Sequence, residues 1–199
     1  MPSLASPRRD RRRAEIVAAA RRIVAERGLE ALTFAALEER LEFTRGVMTY
    51  HFRGKEELVR GVLDSAVREI AQATESAVRA HDSPADKLRA LLRAQTRGFL
   101  DRVEAGRVLF AFWSRLQADD AARRRNASLY AAYRRQTARL LKEGMRLGAF
   151  RVAPVEPLAA LVVGIVLGLV SQQYFAPGSV DVDAAVDEAA ESLLARLKP

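Results

Sequence analysis

Apolar residues recur along most of this 199-residue chain at the three- and four-residue spacing typical of helices that are buried on one side. One such stripe consists of Leu58, Val62, Ala66, Ile70 and Ala73. Alternating β-branched runs, which would indicate strands, are scarce, whereas the helix-favouring residues Ala, Leu, Arg and Glu are frequent. The pattern therefore predicts an all-α protein.

Start and stop signals divide the chain into about nine predicted helices. Thr33 and Thr44 are predicted N-caps, Gly28 and Gly148 are predicted terminators, and Ser83 followed by Pro84 is a strong helix start. The predicted helices run from about Arg11 to Arg27, from the Thr33 cap through Leu41, from Arg45 to Phe52, from Lys55 to Ala80, from Ser83 to Val103, from Arg107 to Leu116, from Ala121 to Leu147, between Pro157 and Pro177, and from Val182 to Leu197.

Basic residues outnumber acidic ones by 33 to 25, which gives a formal charge of +8. Five arginines and one aspartate lie in residues 1–13, so half of the excess charge, +4, is in this segment. Such a charge indicates a polyanionic partner, either nucleic acid or an anionic membrane surface. A solvated, disordered tail fits the same segment.

Several classes of site are not expected from the composition. The chain has no cysteine and two histidines, so a disulfide scaffold is excluded, and neither a metal site nor a cofactor is predicted. No catalytic constellation or phosphate-binding glycine loop is visible, so an enzyme is not expected. The charged N-terminus has no signal-peptide stretch, which predicts a cytoplasmic location.

The second and third predicted helices are separated by a short turn, as in a helix-turn-helix, whose second helix enters a DNA major groove. One face of the third helix carries residue types that suit base edges, because arginine donates to guanine, glycine permits close approach, and threonine presents a hydroxyl and a methyl group. The opposite face is apolar and suits packing. The first face comprises Arg45, Gly46, Thr49 and Tyr50, the second Met48 and Phe52.

Polar residues that suit phosphate contacts surround the predicted reading face. They are Thr33, Thr44, Tyr50, His51 and Lys55. Each has an ordinary structural explanation when taken singly, as a cap, a packed histidine or a solvated lysine. Together, and beside the basic N-terminus, they favour nucleic-acid binding.

Residues 13–60 resemble the DNA-binding domain of the TetR family of transcriptional repressors. The resemblance rests on Gly28 before the Thr33-capped helix and on residues 44–58, which read TRGVMTYHFRGKEEL. It implies base contacts by Arg45, Gly46 and Thr49, and phosphate contacts by the surrounding polar residues. The implied organisation is a basic arm over 1–12, a helix-turn-helix domain over 13–60, and a helical ligand-binding and dimerisation domain over 61–199.

Two positions depart from the family pattern. Thr49 stands where many members have tyrosine, although the subgroup that resembles the choline-responsive repressor BetI also has a small hydroxyl residue there. Glu42 stands where the turn usually has glycine, so we expect a strained left-handed conformation and weakened affinity.

Aromatic residues concentrate in the C-terminal two-thirds, where they form either core or the wall of a cavity. A pocket of apolar walls with a few polar groups is predicted around Trp113. Its residues are Gln95, Phe99, Phe110, Trp113, Gln117, Tyr130 and Tyr133. By the family resemblance this domain binds a small, largely apolar inducer.

No charged residue occurs between Pro157 and Val180. The wholly apolar stretch from Leu158 to Val170 is shorter than the roughly twenty residues that a bilayer requires, so a membrane span is not expected. A helix that is apolar all round must be buried, which predicts a homodimer. The predicted interface residues are Ala160, Gly164, Gly168, Val186 and Leu193.

Together with these residues, the family resemblance implies a homodimeric repressor that binds a near-palindromic operator and is released by an inducer. The alternative is a membrane-surface or partner-binding helical protein without specific DNA recognition. That alternative leaves the capped helix pair unexplained.

Overall fold

A computed structural model describes residues 7–113 and 120–199, and within these ranges the regular elements are all helices. The all-α prediction is confirmed. The helices are α1 (Pro7–Arg27), α2 (Phe34–Glu38), α3 (Arg45–His51), α4 (Lys55–Arg79), α5 (Pro84–Leu100), α6 (Val103–Trp113), α7 (Asp120–Arg146), α8 (Val155–Phe175) and α9 (Val182–Leu197).

Local signals fixed several helix ends as predicted. The Thr33 hydroxyl accepts a hydrogen bond from the Ala36 amide at 3.0 Å, and the Ser83 hydroxyl accepts one from the Asp86 amide at 3.0 Å. Gly28 and Gly148 follow α1 and α7 with φ of 81° and 70°, which is the left-handed conformation that glycine adopts without strain.

Other boundaries differ from the prediction. The first helix begins at Pro7, so residues 7–12 form its first turns. The fifth helix ends at Leu100, and the sixth begins at Val103 instead of Arg107. The predicted end of the sixth helix at Leu116 lies outside the described residues. Helix α8 begins at Val155, which places Pro157 in its first turn, where a missing amide donor costs no helical hydrogen bond.

The expected strain at Glu42 is absent. No non-glycine residue in the described ranges has a positive φ. The turn between α2 and α3 is therefore built from ordinary right-handed and extended conformations, which a glutamate adopts freely. The predicted backbone penalty at this position is wrong.

The chain divides into two compact units. Unit 1 takes in the described parts of Met1–Glu69 and Val103–Ala118, and unit 2 takes in the described parts of Ile70–Arg102 and Asp119–Pro199. Helix α4 contributes residues 55–69 to the first and 70–79 to the second. Residues 103–113 thus belong to the same compact unit as the helix-turn-helix.

Unit 1 packs α1 against α2, α3 and α6. Its core contains the fully buried side chains of Ile16, Ile23, Leu32, Leu37, Met48, Phe52 and Leu58. At its polar edge Arg21 donates to Glu69 at 2.7 Å and forms an ion pair with Glu104 at 2.9 Å. Helices α2 and α3 are too short to be stable alone, so packing against α1 and burial of these apolar side chains stabilise them.

Unit 2 is a bundle in which α8 packs against α5, α7 and α9. Three arginines spaced four residues apart on α5 pair with three acids on α9, and this antiparallel series aligns the two helices. The pairs are Arg89 with Glu191, Arg93 with Asp187, and Arg97 with Asp183.

Helix α8 is the one helix of the described chain that is long and apolar enough, by length and composition alone, to cross a membrane. Only 33% of its most apolar window is buried within the chain, so much of its apolar surface faces outward. The exposed side includes Ala160, Leu161, Gly164 and Gly168.

The side chains of Val186 and Leu193 point into unit 2, since only 2% and 5% of their surfaces are exposed. The prediction that these two residues form a subunit interface is therefore corrected. Their helical stripe packs within the bundle, and the outward side of α9 is mostly polar.

Candidate nucleic-acid interface

Helix α3 presents one polar and one apolar face. Arg45, Gly46 and Thr49 are exposed, whereas Met48 and Phe52 are completely buried in unit 1. The helical periodicity separates these residues as the sequence predicted. The helix is thus anchored from one side and leaves base-reading residue types on the other.

The Thr49 hydroxyl donates to the backbone carbonyls of Arg45 at 3.0 Å and Gly46 at 3.2 Å. Its hydrogen is therefore engaged within the helix, while the oxygen lone pairs and the methyl group remain available. In this arrangement Thr49 suits a base-edge donor or the thymine methyl group.

Tyr50 and His51 are adjacent but differ sharply in exposure. Tyr50 is 68% exposed, whereas His51 is 8% exposed and its Nδ1 atom has no hydrogen-bond partner among the described residues. Burial, together with the charges of Arg9, Arg12 and Arg13, lowers the pKa of His51. These effects favour the neutral ring, and a phosphate contact by His51 stays a prediction.

The remaining predicted phosphate contacts lie at helix starts. The Thr33 hydroxyl is occupied as the cap of α2, and Thr44 occupies the N-cap position of α3 without a side-chain capping bond. The Lys55 Nζ atom at the start of α4 lies 3.8 Å from a Glu30 carboxylate oxygen. Thr33, Thr44 and Lys55 stay predictions for DNA contacts.

The predicted ligand-pocket residues are divided between the two compact units. Phe110 and Trp113 belong to unit 1, where their ring centroids lie 4.9 Å apart. The described residues of the set in unit 2 are Gln95, Phe99, Tyr130 and Tyr133. Gln117 lies outside the described residues.

Within unit 2 the rings of Phe99 and Tyr133 lie 6.5 Å apart, and the Gln95 side chain donates to that of Gln136 at 3.3 Å. Burial raises the pKa of Tyr133 to about 12, and its hydroxyl has no hydrogen-bond partner in the described chain. Sequence reasoning missed Gln136, which its position one turn after Tyr133 would have indicated.

The described residues contain no cluster of three or more histidine, aspartate or glutamate side chains that could hold a metal ion. The polar groups of the interface are instead hydrogen-bond donors and cations, which suit a polyanion.

Comparison with known proteins assigns both parts of the chain to family models. Residues 16–62 match a model described as bacterial regulatory proteins of the tetR family. Residues 84–198 match a model described as the C-terminal part of BetI-type transcriptional repressors.

Two curated relatives share 27% identity with the chain. One is the uncharacterised HTH-type transcriptional regulator YfiR of Bacillus subtilis, matched over 165 residues, or 80% of this chain and 77% of that protein. The other is the HTH-type transcriptional regulator BetI of Burkholderia ambifaria, matched over 117 residues, or 58% of this chain and 60% of that protein. The match thus spans less than two thirds of the BetI relative.

A crystal structure of a transcriptional regulator from Saccharomonospora viridis in complex with choline superposes with a TM-score of 0.80. The alignment covers 96% of this chain and 99% of that chain at 18% identity. At this identity the likeness concerns the fold.

Proposed function

We propose that this chain, which belongs to the TetR family of bacterial regulatory proteins, is a repressor that binds a near-palindromic operator as a homodimer and is released by a small, largely apolar inducer. The family membership makes it a helix-turn-helix transcriptional regulator. Because bacterial DNA lies in the cytoplasm, a cytoplasmic location is part of the proposal, as is the expectation that the chain is not an enzyme.

The observation that carries the proposal is the two-sided character of α3. Its apolar face is buried in unit 1, and its outer face exposes Arg45, Gly46 and Thr49 without an acidic residue among them. In a symmetric dimer two such helices would enter successive major grooves about 34 Å apart. This spacing is what a near-palindromic operator requires.

Selection of bound duplexes from a random DNA pool at near-physiological salt tests the proposal. We expect enrichment of a motif with two-fold symmetry and half-sites about one helical turn apart. Salt-sensitive binding without enrichment of any sequence would contradict sequence-specific recognition, because such binding needs only phosphate contacts.

The outer side of α8 supports the homodimer. Gly164 and Gly168 are exposed, and a Cβ atom built at either position meets no atom within 4 Å. Leu161, which is 47% exposed in the single chain, adds apolar surface to the same side. Small residues four apart allow the backbone of a second α8 to approach closely.

We expect Gly164→Leu to convert the dimer to monomer or aggregate. The single chain has room for the larger side chain, so only a neighbouring subunit would be obstructed. Sedimentation velocity measures the change, with Ala132→Leu, an exposed small-to-large change on α7, as the control. A Gly164→Leu protein that sediments as an unchanged dimer would remove α8 from the interface.

For the inducer site we favour the surroundings of Tyr133 in unit 2. The buried hydroxyl lacks a partner in the described chain, and the Gln95–Gln136 pair adds neutral hydrogen-bonding groups. A ligand with a hydrogen-bonding group of its own could pair with these groups. Choline is the first compound to assay, since the S. viridis protein binds it and aromatic rings such as those of Phe99 and Tyr133 attract quaternary ammonium groups.

Tyr133→Phe separates ligand binding from folding. Removing a buried hydroxyl without a partner is expected to raise the free energy of unfolding by about 1 kcal/mol, as measured by urea denaturation. The same variant should respond less to an inducer that hydrogen-bonds the hydroxyl, measured as release of the selected duplex. Loss of stability together with an unaltered response would contradict this site.

The alternative of a membrane-surface protein draws on α8 and the basic residues of α1. Co-sedimentation with anionic phospholipid vesicles would favour it over DNA binding. Its weakness is that it assigns no role to the exposed polar face of α3.

A further inference from the structure

The first turns of α1 carry a basic face, although residues 1–12 were predicted to form a separate basic arm. Arg8, Arg9 and Arg12 are exposed and, at spacings of one, three and four residues, share one side of the helix. None of the three forms an ion pair with a described residue. Two other arginines of the same turns are neutralised, since Arg11 pairs with Glu15 at 3.0 Å and Arg13 lies 3.6 Å from Glu57.

Two aromatic rings, one in α3 and one just before it, contact this basic face. The guanidinium carbon of Arg9 lies 5.4 Å from the Tyr50 ring centroid, and that of Arg12 lies 5.9 Å from the Phe43 ring centroid. Both distances are within the range of cation–π attraction. The two arginines are therefore oriented beside α3 before any ligand binds.

An open groove of about 590 Å³ lies between the two helices. Arg8, Arg9, Arg12, Thr44, Gly46, Val47, Tyr50 and His51 line it. No carboxylate is among these residues. A second groove of unit 1 differs in this respect, because Asp10, Glu57, Asp64 and Glu104 balance its arginines.

His51 provides a second observation at the groove. Its side chain is more than nine-tenths buried, and its Nδ1 atom has no partner in the described chain. A buried polar atom without a partner is costly unless a ligand or water supplies one. The groove is thus lined by three unneutralised guanidinium groups and by a histidine whose buried Nδ1 atom lacks a partner in the described chain.

We infer that this groove holds a backbone phosphate of duplex DNA, so that Arg9 and Arg12 clamp the strand flanking the bases that α3 reads. The inference rests on the proposed DNA-binding function and adds a contact outside the helix-turn-helix. Guanidinium groups bind phosphate oxygens through paired hydrogen bonds. The groove also shares Gly46 with the reading face, so a duplex lying on α3 brings its backbone to these arginines.

The test uses the full chain with the selected duplex and with a random duplex. The variant is Arg9→Ala/Arg12→Ala, and the matched control is Arg11→Ala/Arg22→Ala, which removes the same charge from exposed positions of α1 outside the groove. We expect the groove variant to bind both duplexes about tenfold or more weakly, since charged hydrogen bonds are lost. The control variant should lose much less affinity for either duplex.

The salt dependence gives a sharper readout than affinity. Each neutralised phosphate contributes about 0.9 to the slope of log K against log salt, so a dimer that loses one phosphate per subunit should lose about two units of slope. Arg9→Lys/Arg12→Lys keeps the charge and should restore most of the slope with part of the affinity. Circular dichroism and thermal melting check that all variants remain folded.

The two histidines of the chain provide an independent signal. On addition of the selected duplex, a phosphate in the groove should raise the pKa of His51, measured by NMR, because a nearby negative charge favours the protonated ring. His81, in unit 2, serves as the internal reference.

Three results would overturn the inference. If the groove variant and the control lose equal DNA affinity, Arg9 and Arg12 act only through their long-range charge. The proposed repressor function would stand in that case. If the duplex leaves the pKa of His51 unchanged, no phosphate binds in the groove. The unaltered protein could also bind no duplex and instead bind anionic vesicles in a way that depends on the groove arginines. That result would contradict both the phosphate clamp and the proposed function, and it would indicate a lipid-binding surface.

Discussion

Arg45→Ala is expected to abolish most sequence discrimination while leaving the fold intact. Arg45 is exposed at the first position of α3 and forms no ion pair with a described residue, so its removal costs little folding free energy. A bidentate arginine–guanine contact contributes about 1–3 kcal/mol of discrimination. With one contact in each half-site, the dimer would lose about 2–6 kcal/mol, or roughly 30-fold to more than 10,000-fold in affinity for the selected duplex.

The measurement compares dissociation constants for the selected and random duplexes at one salt concentration. Lys55→Ala is the companion variant, because a phosphate contact should weaken binding to both duplexes alike. Its distant pairing with Glu30 is exposed and contributes little to stability. If Arg45→Ala lowers the affinity for both duplexes equally, Arg45 contacts phosphate and does not read a base.

Phe52→Ala is expected to cause a large loss of stability in unit 1. The side chain is completely buried, and its ring lies against Gly61 of α4, where an added Cβ atom would come within 3.2 Å. The Arg13 guanidinium carbon lies 4.4 Å from the centroid of the same ring. Removing a buried phenylalanine ring costs about 3–5 kcal/mol through lost burial and the cavity left behind.

Urea or thermal denaturation followed by helical circular dichroism measures this loss. Because the chain has two compact units, we expect unit 1 of the variant to unfold at a lower denaturant concentration than in the unaltered protein. The transition of unit 2 should be unchanged. Tyr50→Ala is the control, since this ring, two residues earlier in α3, is 68% exposed and should affect DNA binding more than stability. An unshifted transition for Phe52→Ala would show that the ring does not stabilise this unit.

The outer face of α3 was predictable because a helix fixes which side chains share a side. Met48 and Phe52 are buried and Arg45, Gly46 and Thr49 are exposed, as the periodicity indicated. Predictions from a family turn pattern were less dependable. Glu42 occupies a position that the resemblance marks for glycine, yet it has no positive φ and therefore needs no glycine.

Periodicity does not tell which surface an apolar stripe will meet. Val186 and Leu193 form a regular stripe on α9, but the stripe packs within unit 2, whereas exposed Gly164 lies on the outer side of α8. The sequence pattern is the same for a helix that packs against its own bundle and for one that packs against a second subunit. Only the positions of the neighbouring helices distinguish the two.

By itself the sequence determined the helical class, the ends marked by Ser83, Gly28 and Gly148, and the face of α3, since these depend on interactions within a few residues. The tertiary structure alone decided that Arg9 lies on Tyr50 and that His51 is buried, because these contacts join residues far apart in the chain. Local spacing carries no information about such contacts. They form only when packing of the apolar faces brings separate helices together.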